Sequence, residues 1–284
     1  INCEGKMVTC GFIDSHTHPV FYNKRDKEYA MRLAGLSYEQ IAKNGGGIVS
    51  SVEGVRKSSK SQLIEKVKER MNRFIANGTT TIEAKSGYGL NTQSELKSLD
   101  VIGEVNKSHE IDMVPTFMGA HAFPKEFELR RADYIQTICD EMIPAVAKQG
   151  IAVFNDVFCE DGYFSVDESR LILETGKKYG LKARLHADEF SNSGAAILAS
   201  EVDAFSADHL MAVSNEGISK LSKSKVVATL LPGTTFFLGK DTYAPARKLL
   251  DADITVALAT DFNPGSSHIQ SMPFIITLAC MHMG

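Results

Sequence analysis

No stretch of this sequence is apolar for long enough to cross a bilayer. The longest apolar run, Met272 to Cys280, contains Pro273 and Thr277 and falls well short of the ~18 residues that a spanning helix needs. Excess basic charge is missing too: the formal net charge is -4, which leaves no electrostatic footprint for nucleic acid. Neither a membrane nor a nucleic acid is therefore expected as a partner. Cysteine is sparse, with Cys3, Cys10, Cys139, Cys159 and Cys280 dispersed and no CxxC pair. That pattern argues against a disulfide framework or a thiolate zinc site, and reduced, mostly buried thiols are expected. Ile1 to Gly11 lacks the basic-then-apolar layout of a secretory signal, so the expected compartment is the cytoplasm. What remains is ordinary globular composition. With 43% hydrophobic residues among 284, the chain can bury a sizeable core as one large domain or two small ones. It starts at Ile1 without a Met and stops at Gly284 inside an apolar, helix-like stretch, as a segment of a longer protein would.

One unit repeats along the chain, a short apolar strand followed by an amphipathic helix. Strand-like runs lie near Val8–Asp14, Thr79–Glu83, Asp112–Met118, Ile151–Val157, Leu181–His186, Ala204–Ala207, Val226–Leu230 and Ile254–Ala259. Each is rich in Val, Ile, Phe or Thr, as strands buried on both faces are. Between them, Leu63, Ile64, Val67, Met71, Phe74 and Ile75 share one helical face, and Gly78 is placed to end that helix. Thr92 with Glu95, and Ser165 with Glu168, have the spacing of capping boxes. This alternation predicts an α/β fold, a parallel sheet closed into a (β/α)8 TIM barrel, as one domain over 1–284. A doubly wound open sheet would want a Gly-rich phosphate turn after the first strand, and Gly11 to His18 offers none. The long connection from Pro19 to Ser61 carries Gly45, Gly46 and Gly47 without the Gly-Lys-Ser/Thr of a phosphate loop, and reads as a flexible lid or substrate loop.

In such a barrel the active site is built where the strands end, and the unusual polar residues collect there. Strand one runs out into His16 and His18, whose i, i+2 spacing turns both imidazoles to one side, within reach of one ion. Strand five ends in His186-Ala187-Asp188-Glu189, strand six in Asp208-His209 and strand eight in Asp261-Phe262-Asn263, while strand three leads to His121. Three imidazoles and one carboxylate suit Zn2+ or iron rather than Mg2+ or Ca2+. Without further information Asp261 could instead be a helix N-cap, Glu189 a rim carboxylate, His209 a structural histidine and Arg25 one charge in a solvated KRDKE run.

The segments GFIDSHTHPVF, EAKSGYGL, MGAHAFP, HADEF, SADHL, LLPGTTFFL and ALATDFNPGSS resemble the amidohydrolase superfamily, and within it the imidazolonepropionase family, over nearly the whole chain. Cys10 stands where that family is expected to have a proline. The resemblance implies hydrolysis of 4-imidazolone-5-propanoate to N-formimidoyl-L-glutamate, the third step of histidine degradation. It implies one metal, Zn2+ or Fe2+/Fe3+, on His16, His18, His186 and Asp261, where an activated water attacks the cyclic amide carbon. Asp261 also accepts a proton, Glu189 shuttles one to the leaving nitrogen, and His209 stabilises the oxyanion. Arg25 grips the propanoate tail; Tyr88, His121, His186 and Glu189 contact substrate; Asn263, Gly265 and Ser266 surround the ring and product. Tyr38 is a weaker candidate. Lys85, carboxylated in some relatives that bind two metals, is read here as structural or electrostatic, because no second ligand set is evident. The resemblance further implies a homodimer and a small β-sandwich built from end segments largely missing here. The rivals are a related deaminase acting on cytosine, guanine or an adenosine-type base, whose neutral substrate needs no Arg25, and a non-catalytic metal-binding barrel.

Overall fold

The computed structural model describes residues 2–36 and 47–284, so Tyr38, Gly45 and Gly46 lie outside the described residues. Eight parallel strands pair in sequence order: β1 (Phe12–Asp14), β2 (Thr79–Lys85), β3 (Asp112–Ala120), β4 (Phe154–Cys159), β5 (Lys182–Ala187), β6 (Ser206–His209), β7 (Val227–Leu230) and β8 (Val256–Leu258). Around them run α1 (Asp26–Leu33), α2 (Ile48–Lys57), α3 (Lys60–Ala76), α4 (Thr92–Ser108), α5 (Arg131–Thr137), α6 (Ile143–Gln149), α7 (Val166–Lys178), α8 (Ala195–Glu201), α9 (Asn215–Leu221), α10 (Pro232–Phe237), α11 (Ala246–Asp251) and α12 (Met272–His282). The ring closes just beyond β1 and β8. There Thr17 bridges Phe262, the His18 N–H donates to the Phe262 carbonyl at 2.8 Å, and the Asp261 N–H donates to the His16 carbonyl at 3.1 Å. Below that seam the buried Asp14 carboxylate accepts the Thr260 N–H and hydroxyl at 3.0 and 2.6 Å. This is the (β/α)8 barrel the repeat predicts.

The elements form where local chemistry favours them. Helix α3 opens on a capping box in which Ser59 and Gln62 satisfy each other's backbone N–H groups. It buries Leu63, Val67, Met71 and Phe74, and the chain then turns through Gly78 at φ 82°. Ser165 and Glu168 form the expected capping box at α7. The expected pair Thr92 and Glu95 does not. Asn91 caps α4 instead, and Glu95 turns inward to accept the N–H groups of Gly87, Gly89 and Leu90. Several strands start later than their apolar runs suggest. Met7 and Val8 are exposed ahead of β1, and Ile151 to Val153 still belong to the loop that leaves α6 through Gly150 at φ 70°. All five thiols are free, but the expectation of mostly buried ones holds only for Cys139 and Cys159. Cys10 sits on the exposed approach to β1 and Cys280 on the outer face of α12.

Candidate active site

Four donor atoms converge at the C-terminal end of the barrel. His16 Nε2 lies 3.2 Å from His18 Nε2, which lies 3.3 Å from His186 Nε2. Asp261 Oδ1 stands 3.5 Å from both His16 Nε2 and His18 Nε2. Donors held ~2.0–2.1 Å from one tetrahedral ion are about 3.3 Å apart, so this spacing suits a transition metal. The outer nitrogens explain why. His16 Nδ1 donates to Asp208 at 2.7 Å and His186 Nδ1 to Asp156 at 3.0 Å, which leaves both Nε2 atoms as bare lone pairs. Burial, then the charge of Lys85, holds both imidazoles well below their ordinary pKa, so protons are not what occupies those lone pairs. Lone pairs turned toward one another with no donor between them are costly unless a cation fills the space. Asp261 is aimed by Thr234, whose hydroxyl donates to its other oxygen at 2.5 Å. His209 also has a ring nitrogen within 4.8 Å of donor atoms on His16 and His186.

A layer of buried charge supports these ligands. Lys85 Nζ lies 2.6 Å from Asp156 and 2.8 Å from Glu83, and an Arg184 nitrogen lies 2.9 Å from Asp208 and 2.7 Å from the Ser15 carbonyl. Burial alone would lower the Lys85 pKa, but Asp156 and Glu83 outweigh it and hold the ammonium charged. Both carboxylates that orient imidazoles are thus themselves paired, which fits a structural and electrostatic part for Lys85.

Above the donors opens a cavity of about 530 Å3. Arg25, Tyr88, His121, Glu189, His209, Asn263, Gly265 and Ser266 all line it, together with His18, His186 and Asp261. Glu189 Oε2 and His209 Nε2 are 3.5 Å apart. Burial, then the charge of Asp261, raises the Glu189 pKa well above the usual carboxylate range. Burial lowers His209 to about 3, so its ring is neutral, and neither ring nitrogen has a hydrogen-bond partner among the described residues. His121 donates Nδ1–H to the Gly87 carbonyl at 2.9 Å and stacks on His18 with ring centres 5.1 Å apart. Asn263 shapes the turn: its amide oxygen accepts the N–H groups of Gly265 and Ser266, and its NH2 donates to the Asp261 carbonyl. A β-carbon on Gly265 would lie 2.4 Å from Arg25 and would push its guanidinium aside. Arg25 itself gives Nε and one terminal nitrogen to Glu28.

Sequence reasoning missed Glu28, Arg32, Phe158, Tyr163, Phe190 and Lys240 on the cavity wall. For two of them a signal existed, because Glu28 and Arg32 follow Arg25 at i+3 and i+7 and so share a helical face. It also missed Glu160, whose buried carboxylate accepts the N–H groups of Phe190 and Ser191 directly after Glu189.

No protein-family model matches the chain. The imidazolonepropionase of Geobacillus kaustophilus (strain HTA426) is 48% identical over 284 residues, all of this chain and 67% of that protein. The imidazolonepropionase of Streptococcus gordonii is 47% identical over 280 residues, 99% of this chain and 66% of that protein. That of Shouchella clausii (strain KSM-K16) is 49% identical over 283 residues, 100% of this chain and 63% of that protein. The chain thus spans about two thirds of the length of these relatives. Among solved structures, 5-methylcytosine deaminase from Klebsiella pneumoniae matches with a TM-score of 0.73 at 13% identity, over 96% of this chain and 68% of that one. Guanine deaminase from C. acetobutylicum matches with a TM-score of 0.64 at 19% identity, over 96% of this chain and 65% of that one. An adenosine deaminase from Xanthomonas campestris with bound zinc matches with a TM-score of 0.60 at 13% identity, over 96% of this chain and 60% of that one. At such identities the structural likeness speaks for the fold alone.

Proposed function

The chain belongs to the imidazolonepropionase family, and on that premise we propose that it opens the ring of 4-imidazolone-5-propanoate with water to give N-formimidoyl-L-glutamate. The observation that carries the reading is one cavity with metal-type donors at its floor and the Arg25 guanidinium on its wall. His16, His18, His186 and Asp261 would hold one divalent ion. Their nitrogen-rich donor set favours Zn2+ or Fe2+ over hard cations. When bound, the ion supplies Lewis acidity, which polarises the ring carbonyl and makes water easier to deprotonate.

The chain's own groups do the rest. Asp261 Oδ1 takes the proton that water loses as its oxygen bonds to the ring carbonyl carbon. Glu189, buried and raised in pKa, carries a proton to the ring nitrogen as the carbon–nitrogen bond breaks, so that water is added across that bond and the carbonyl carbon becomes a carboxylate. His209, neutral and with no hydrogen-bond partner among the described residues, offers an N–H to the oxygen that gains negative charge. Tyr88 and His121 flank the ring, Asn263 holds the turn of Gly265 and Ser266 against it, and Arg25 takes the tail carboxylate. A homodimer in the cytoplasm belongs to the same proposal and rests on the sequence reading alone.

Metal-loaded, full-length protein should consume imidazolone propanoate, read as loss of the ring's ultraviolet absorbance. Arg25→Ala should lower kcat/KM by about 100-fold, since hydrogen bonds to a charged group are worth ~1.5–3 kcal/mol and Glu28 would also lose its partner. Ammonia release from cytosine, guanine or adenosine with no loss of the imidazolone ring would overturn the reading in favour of a deaminase.

A further inference from the structure

One end of the cavity holds two guanidiniums where a single carboxylate receptor needs one. Arg25 at the N-cap of α1 and Glu28 and Arg32 within it follow at i, i+3 and i+7, and all three line the cavity. Glu28 is fully committed. One of its oxygens takes Arg25 Nε and NH2 at 2.8 and 2.6 Å, and the other accepts the Gly47 N–H at 2.9 Å. Arg32 gives one N–H to the Gly265 carbonyl at 2.9 Å and lies near the rings of Phe237 and Tyr29, 5.2 and 5.7 Å from their centres. No carboxylate lies within 4.0 Å of it among the described residues. Gly265 is thus pressed between two guanidiniums, Arg25 against its α-carbon and Arg32 on its carbonyl. Among the described residues at this end of the cavity, Arg32 is the guanidinium with no carboxylate of its own. A half-buried cation beside a like charge is unfavourable, and burial followed by Arg25 pulls its pKa down against a smaller upward pull from Glu28. An anionic ligand relieves that cost.

We propose that Arg32 is a specificity-determining residue: it supplies the uncompensated charge that selects a substrate with an ionised tail, while Arg25, neutralised by Glu28, sets the tail's orientation. The inference rests on the proposed function, since it assigns the tail of that same substrate to a second cation. It divides the work between two arginines that composition alone makes equivalent. A planar guanidinium anchored at one edge by Gly265 keeps its remaining N–H groups for a carboxylate.

The test compares the imidazolone carrying propanoate with the same ring carrying the tail amide, on metal-loaded, full-length protein. Arg32→Gln should lower kcat/KM for the acid roughly 10- to 100-fold, the range for a lost hydrogen bond to a charged group. The loss should fall mainly in KM, exceed the loss for the amide by roughly fivefold or more, and flatten the salt dependence of the acid reaction. Arg32→Lys should restore most of the preference for the acid. Equal losses for acid and amide, or no loss for either, would overturn the inference and leave Arg32 as a clamp on Gly265. A second readout needs no turnover. An imidazole bearing the propanoate tail should raise the melting temperature of wild type more than its amide does, and Arg32→Gln should abolish that difference. If wild type opens no imidazolone ring, the proposed function fails, and the melting comparison still decides for or against Arg32.

Discussion

Asp208 shows how one buried carboxylate can serve the proposed metal site without supplying a donor to it. It accepts His16 Nδ1–H on the same oxygen that Arg184 pairs with, so the imidazole is fixed in the tautomer that leaves Nε2 bare. Asp208→Asn keeps the shape but lets the amide turn its NH2 toward the ring. Metal affinity, measured by chelator competition, should fall about 10- to 100-fold. An unchanged affinity would mean that the His16 tautomer is set elsewhere. Cysteine chemistry makes a second prediction at this scale. Burial pushes the Cys159 thiol up to about 11. At pH 8, three units lower, only about one molecule in a thousand carries the thiolate that reacts. Iodoacetamide in native buffer should therefore label the exposed Cys10 and Cys280 and spare Cys159, as read by mass spectrometry. Rapid labelling of Cys159 would show that its pocket opens readily.

Among the elements, the turn after β5 carries Glu189 and is held from both sides. Asp188, at φ 48°, accepts the N–H groups of Ala195 and Ala196 and so caps α8. Glu160, just past β4, accepts the N–H groups of Phe190 and Ser191. Glu160→Ala would free two backbone donors next to Glu189, the proposed proton carrier. A small displacement of a catalytic group can cost up to about 100-fold, and the loss should appear in kcat rather than KM. A pure KM effect would place Glu160 in substrate binding instead. The capping boxes illustrate what is legible at this scale. Ser165-x-x-Glu168 reads correctly because its partners are local. Thr92-x-x-Glu95 has the same spacing, yet the loop Ser86–Leu90 needs a buried acceptor for three N–H groups, and that need claims Glu95. A Ser165→Ala change should cost about 1 kcal/mol, a drop of ~2–4 °C in melting temperature; no shift would make the cap dispensable.

In the whole molecule, the proposed metal donors sit astride the seam that closes the barrel. His16 and His18 follow β1, Asp261 follows β8, and His186 comes from β5 on the far wall. An ion bound by all four would tie the first and last strands together. Removing metal with a chelator should lower the melting temperature by several degrees, and returning Zn2+ or Fe2+ should restore it. Saturation at ~1,000 times Kd adds about 4 kcal/mol to stability. Insensitivity to both treatments would exclude this donor set as a metal site. The exposed apolar residues Met7, Val8 and Ile13 lie at the start of the barrel. We propose that the third of the family's length not spanned here supplies the β-sandwich that the sequence resemblance implies.

The sequence by itself determined the alternation of strand and helix, and hence the barrel, because hydrophobic period is a local property that survives folding. It also named the proposed donors, since His16 and His18 share one strand end and each remaining candidate follows an apolar run directly. Only the tertiary structure decided which edge of each imidazole faces inward, because Asp208 and Asp156 come from other strands 192 and 30 residues away in sequence. It alone placed Lys85 between Glu83 and Asp156, and turned Asp261, Asp188 and His209 into left-handed backbone that no composition signals. It alone separated Arg25 from Arg32, because the distinction lies in which guanidinium Glu28 can reach.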